Sequence, residues 1–151
     1  HGLLEHATKG LLPENTESYV RKLVEREGQA SENIAHALEA LSRFKESQIW
    51  QETQESKQTF TEVDFAKKNA FIVQNQIERG RIDLVYRVLG GWKIVDFKTD
   101  RAGSPSEIKS LRKRYGNQAR AYARYWNELA GGRVKSTGLW STDPGIWIEI
   151  N

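Results

Sequence analysis

Residues 94–100 read IVDFKTD, an apolar strand-like run carrying two charges of opposite sign. Side chains alternate between the faces of a strand, so Asp96 and Lys98 point together while Val95 and Phe97 point the other way. A carboxylate and an ammonium therefore share a surface that is at least half buried. Either they neutralise one another as a structural pair, or they hold a charged species between them.

Just upstream, RIDLVYRVLGGWK offers two strand-like runs separated by Gly90-Gly91, which reads as a two-residue hairpin turn. With those glycines in the turn, Leu89 pairs with Trp92. Counting back along the ladder then sets Asp83 opposite Lys98, with Asp96 facing Val85 and diagonal to Asp83. The three charged groups share a face with Val85, Leu89, Trp92 and Ile94, and a slip of one residue sends Asp83 to the other side. Two carboxylates close together in a partly dry place repel and raise each other's proton affinity, which a hard divalent cation relieves. Mg²⁺ takes oxygen ligands, keeps several waters and is usually held by one or two carboxylates together with substrate phosphate. A lysine beside it suits orienting or activating water and stabilising charge that develops on a phosphate. The bland alternative is a cross-strand Asp83–Lys98 ion pair with Asp96 exposed.

Around this hairpin the pattern changes twice. Tyr19, Val20, Leu23 and Val24 recur at helical spacing up to Gly28, and a second helix starts at Ser31 and carries Ile34, Ala35, Leu38, Leu41 and Ser42 on one stripe. TFTEVDFAK, from Thr59, alternates: Phe60, Glu62, Asp64 and Ala66 on one face, Thr61, Val63, Phe65 and Lys67 on the other. After Ser104-Pro105-Ser106 a long helical segment runs to a C-cap at Gly131-Gly132. RVKSTGLWS and GIWIEI then form two strands around the turn sequence Asp143-Pro144-Gly145. An N-terminal helical segment, a sheet core, and a helix returning to further strands predict one α/β domain over 1–151 with a mixed central sheet flanked by helices.

The 151 residues suffice for one domain with a real core, and the 38% hydrophobic and 28% charged content is that of a globular protein. No apolar run reaches the length of a membrane span, and HGLLEHATKG lacks the features of a signal peptide. The chain has no Met, so it is expected to be an excised piece of something larger. It has no Cys either, which excludes disulfides, thiolate-bound zinc, cysteine nucleophiles and cysteine-held iron–sulfur clusters. The net charge of +3 is unevenly spread: from Arg101 to Lys135 nine basic residues face only Glu107 and Glu128, a surplus of seven. Such a region is either a phosphate-binding surface or a solvated helix face.

GRIDLVYRVLGGWKIVDFKTD, followed some twenty residues on by YGNQARAY, resembles the nuclease domain of the RecB and AddA type, a branch of the PD-(D/E)XK superfamily. That pattern is a Gly-x-x-Asp strand, a hairpin, an apolar strand ending Asp-x-Lys-Thr, and a helix with Gln-x-x-x-Tyr. Gly80, Asp83, Asp96, Lys98, Thr99, Gln118 and Tyr122 fit it in order, HGLLE fits the opening His-x-x-Leu-Glu through His1, Leu4 and Glu5, and Glu62, Val63 and Phe65 fit a Glu-Val-x-Phe strand. The resemblance covers almost the whole chain. It implies a restriction-endonuclease-like fold and a Mg²⁺-dependent DNA nuclease in which Mn²⁺ substitutes and Ca²⁺ occupies the site without supporting cleavage. It also implies metal ligation by His1, Asp83 and Asp96, with His6 as the alternative to His1. Lys98 serves the hydrolytic water or the scissile phosphate, and Gln118 and Tyr122 position substrate or catalytic groups. Within the helix, Tyr115, Tyr122 and Trp126 also read as a core stripe.

By the same resemblance the chain is the C-terminal nuclease domain of a bacterial, cytoplasmic UvrD-type helicase-nuclease acting in double-strand-break processing. Its partners are then DNA, the helicase portion of the same polypeptide and a second subunit. Arg112, Lys113, Arg114, Arg120 and Arg124 would bind DNA phosphates. There is no G-x-x-x-x-G-K-[ST] phosphate loop, so this chain is not itself the motor. The rivals are a catalytically silent DNA-binding or assembly module and a stand-alone nuclease of restriction or phage type.

Overall fold

A computed structural model describes residues 2–68 and 77–151, the side chains at 67, 68, 77 and 78 excepted. Helices α1 (Gly2–Thr8), α2 (Thr16–Arg26), α3 (Glu32–Lys45) and α4 (Gln48–Glu55) precede strands β1 (Thr59–Lys68), β2 (Ile77–Val88) and β3 (Gly91–Lys98). Helix α5 (Pro105–Ala130) then crosses to β4 (Val134–Ser141) and β5 (Ile146–Glu149). The sheet has the order β1-β2-β3-β4-β5. Only β3 and β4 are parallel, as a strand–helix–strand crossover requires, and the other pairs are antiparallel. This is the mixed α/β sheet expected from the sequence.

Three layers follow from the two-residue period of the strands. Leu84, Tyr86, Val95, Phe97 and Trp140 face α1–α4 and pack with Leu4, Val20, Leu41, Phe44 and Ile49. Phe44 is fully buried and meets Phe97 and Trp140 edge-on. On the opposite face Ile82, Val85, Trp92 and Ile94 pack against Tyr122 and Trp126 of α5, while Leu139 and Ile148 pack against Leu111 and Ala119. Helix α5 starts at a capping box, in which Ser104 and Glu107 satisfy each other's backbone N–H, and ends at Gly131 with φ 59°.

Three local readings are corrected. The hairpin turns at Leu89-Gly90, because Val88 pairs with Gly91 and Arg87 with Trp92. Gly91 is spent elsewhere: a Cβ there would lie 2.2 Å from the Arg133 carbonyl, so glycine lets β3 approach the chain entering β4. Leu89 is 92% exposed and lies off the apolar face. In β1 the alternation breaks at Glu62, a non-glycine residue with φ 53°. Phe60 consequently touches Trp92 and Trp126 while Phe65 touches Tyr122 and Tyr125, all on the α5 side although the two are five residues apart. Helix α4 has too short an apolar stripe to stand out in the sequence. It turns only Ile49 and Thr53 fully inward, and is fastened by Glu52, which accepts from Tyr86 Oη at 2.5 Å and Lys93 Nζ at 3.0 Å.

Gly80 lies where β2 passes beneath the aromatic group on α5. A Cβ there would stand 2.6 Å from the Phe65 ring and 3.2 Å from the Tyr122 ring. Phe65 has no room to retreat, since it is stacked on Tyr125 with 4.3 Å between centroids. Gly80→Ala is expected to destabilise the domain by about 1–3 kcal/mol through overpacking, lowering Tm by several degrees in thermal denaturation. An unchanged Tm contradicts this packing.

Candidate active site

The β2–β3 ladder is paired as far as Leu84 and Val95. One step beyond, Asp83 and Asp96 stand across from each other and their side chains meet. The true register is offset by two residues from the expected one, so Asp83 faces Asp96 instead of Lys98. An even offset preserves the face, which keeps all three charged groups together. Where the strands part, the Asp83 carboxylate replaces a ladder acceptor: its Oδ2 takes the Phe97 N–H at 2.8 Å.

Both carboxylates are buried, Asp83 at 8% and Asp96 at 4% exposure. The reading with an exposed Asp96 is therefore overturned. Burial pushes the Asp96 carboxyl up to about 6, with Lys98 acting against the shift and Asp83 adding to it. Burial likewise raises Asp83, opposed by the Phe97 N–H. Lys98 lies with its Nζ 2.7 Å from Asp96 Oδ2 and 3.4 Å from Gln118 Oε1. Gln118 and Tyr122, four apart on α5, do address the same place as the acids. Tyr122 is within hydrogen-bonding reach of Gln118 and of the Arg81 backbone, and burial, reinforced by the Asp96 and Asp83 charges, pushes its hydroxyl up to about 12.

Helix α1 adds a carboxylate to which the sequence reading gave no role. Glu5 is buried at 7% exposure, and burial first, then the Glu62 and Asp83 charges, raise its carboxyl. Glu62 is held by Lys9 and by Arg81, whose Nη1 is 3.5 Å away. The only signal for Glu5 lay in the HGLLE motif itself. His1 lies outside the described residues. His6, its alternative, is hydrogen-bonded to the Tyr19 hydroxyl.

The chemistry of this donor set fits a hard cation. Asp96 Oδ2 is buried beside the Asp83 carboxylate, and among the described residues its charge is met by the Lys98 ammonium at 2.7 Å. Among the described residues no group of three or more His, Asp or Glu side chains is gathered as a metal cage. Two carboxylates with open positions left for water and phosphate oxygen is the arrangement Mg²⁺ favours.

The basic residues of α5, Arg112, Lys113, Arg114, Arg120 and Arg124, are all exposed. Arg114 shares the Gln118 flank and is held by Asp100 Oδ1 at 2.7 Å. At about 100° per residue the other four stand about 120° or more round the helix from Gln118. Arg120 donates to Asn117 Oδ1 and to the Asn151 carbonyl.

A carboxyl whose folded-state value is raised adds stability while protonated, fully below the ordinary aspartate value of 3.8 and lost as pH climbs through about 6. In chelator, Asp96→Asn is therefore expected to have a higher Tm than the wild type at pH 8, the difference narrowing as pH falls to 5. A lower Tm for the variant at pH 8 contradicts the assigned burial cost.

No curated protein matches the chain. Residues 1–146 match the PD-(D/E)XK nuclease superfamily, a span that takes in all four N-terminal helices, the acidic pair, Lys98 and the Gln118–Tyr122 face. The chain belongs to the PD-(D/E)XK nuclease superfamily.

Proposed function

We propose that this domain is a divalent-metal-dependent deoxyribonuclease that hydrolyses phosphodiester bonds. The observation that carries the reading is the buried Asp83–Asp96 pair at the end of a ladder, with Lys98 on its open side. Apolar side chains would be far cheaper there, because neighbouring buried carboxylates repel and lose hydration. Asp83 and Asp96 would hold the cation, with His1 completing the set. When bound, such a cation supplies charge to neutralise phosphate oxygens and to acidify water.

The remaining tasks fall to the chain's own groups. Lys98 lies beside the acids and stabilises charge gathering on the scissile phosphate. Gln118 fixes the Lys98 ammonium from the helix side, and Tyr122 keeps its proton at neutral pH, so it acts as a hydrogen-bond donor rather than a base. Arg114, on the Gln118 flank, would meet phosphates near the site, whereas Arg112, Lys113, Arg120 and Arg124, turned away from it, would bind the backbone of DNA that extends past the cleavage point, with little regard for sequence.

The finer reading is the nuclease domain of a bacterial, cytoplasmic RecB- or AddA-like helicase-nuclease, with the helicase portion and a second subunit as partners in break processing. It is supported by the ordered motifs GRIDL, IVDFKT and YGNQARAY and by the absence of cysteine.

The test is cleavage of labelled linear single- and double-stranded DNA in Mg²⁺ or Mn²⁺ against EDTA. The wild type is expected to cut only with metal, and Asp96→Ala and Lys98→Ala to lose at least about a hundredfold in rate. Metal-independent cutting, or full activity in either variant, overturns the assignment. A folded wild type that neither cuts nor binds metal points to the silent module.

A further inference from the structure

We propose that Tyr115 is a positioning residue whose ring holds the Lys98 ammonium in its working place. The inference rests on the nuclease reading above and concerns how its lysine is aimed. Lys98 is a point charge on a flexible four-carbon stem, and one carboxylate does not fix its direction. Among the described residues, three groups lie around Nζ: Asp96 Oδ2 at 2.7 Å, Gln118 Oε1 at 3.4 Å, and the Tyr115 ring with its centroid at 4.2 Å. The ring distance is well inside the range at which an ammonium is drawn to an aromatic face. When a cation takes up the Asp96 charge, the lysine's hold on that carboxylate weakens. Gln118 and the ring then remain to keep the ammonium from swinging away.

The ring is itself fixed. Tyr115 Oη donates to Asp100 Oδ2 at 3.0 Å, and Asp100 Oδ1 accepts from Arg114 at 2.7 Å. The Asp100 carbonyl accepts from Ser141 Oγ at 2.8 Å, which fastens the backbone at that point. Tyr115 also packs on the group formed by Leu111, Ala119, Leu139 and Ile148. Asp100 follows Lys98 by two residues, so the end of β3 and the first half of α5 are closed into one ring through Asp100, Tyr115 and Lys98. The Arg114 guanidinium lies 5.7 Å from the same centroid, farther than Lys98, and is committed to Asp100.

The test separates the ring from its hydroxyl. Tyr115→Phe keeps the aromatic face but loses the tie to Asp100, so it is expected to lower kcat only about two- to threefold. Tyr115→Leu removes the face and is expected to lower kcat by about tenfold, with KM for DNA little changed. A second readout needs no cleavage. The Lys98 ε-methylene protons, assigned by their loss in Lys98→Arg, should be shifted upfield by the ring in the wild type and in Tyr115→Phe, and should return to the ordinary lysine position in Tyr115→Leu. Unshifted ε-protons in the wild type, or a Tyr115→Leu enzyme with wild-type kcat, overturn the proposal. If the wild type does not cut, the nuclease reading and the catalytic part of this inference fall together, while the proton shifts still decide whether the ring holds the lysine.

Discussion

The site depends on one constraint: two antiparallel strands must stop pairing where each carries an aspartate. Beyond Leu84 and Val95 the backbone needs another acceptor for the Phe97 N–H, and Asp83 supplies it. Asp83 is thereby fixed in direction and held against Asp96 in a place from which water is largely excluded. The repulsion this creates is a standing cost to the fold, offset by Lys98 and relieved by any hard cation that enters. The buried Tyr86, Phe97 and Val95 on the other side of the same strands keep them from separating elsewhere.

The helical layers serve that arrangement unequally. Helix α5 presents Gln118, Tyr122 and Tyr115 from one side, held at its ends by a capping box and a left-handed glycine. Helix α1 brings Glu5 from the other, where it meets Glu62 and feels the Asp83 charge. Glu62 has a positive φ, and that irregularity in β1 carries its carboxylate toward Lys9, Arg81 and Glu5 rather than into the regular alternation of the strand. The acidic centre is thus bordered by Lys98 on one side and on the other by Lys9 and Arg81, which are paired with Glu62.

Much of this was legible in IVDFKTD and GRIDL. The shared face of Asp83, Asp96 and Lys98 followed from the two-residue period and survived an error of two positions in the hairpin register. That error came from Gly91, which serves a close approach to Arg133 some forty residues away, a demand that no local turn preference contains. The fate of Glu62 was hidden for a similar reason, because a left-handed conformation in a glutamate is imposed by its surroundings. Helix α4 was missed because its two fully inward-facing residues make too short a stripe. Tyr115 read as core packing, and it is partly that; its second role emerges only when β3 and α5 are placed side by side.

The account stands on Asp83 and Asp96 forming one cation site. The most direct measurement is calorimetric titration of Mn²⁺ into the wild type, Asp83→Asn and Asp96→Asn at pH 8, with folding checked for each protein. Saturable binding in the wild type that is lost in both variants is the predicted result. Binding that survives either substitution, or is absent from a folded wild type, contradicts the central claim.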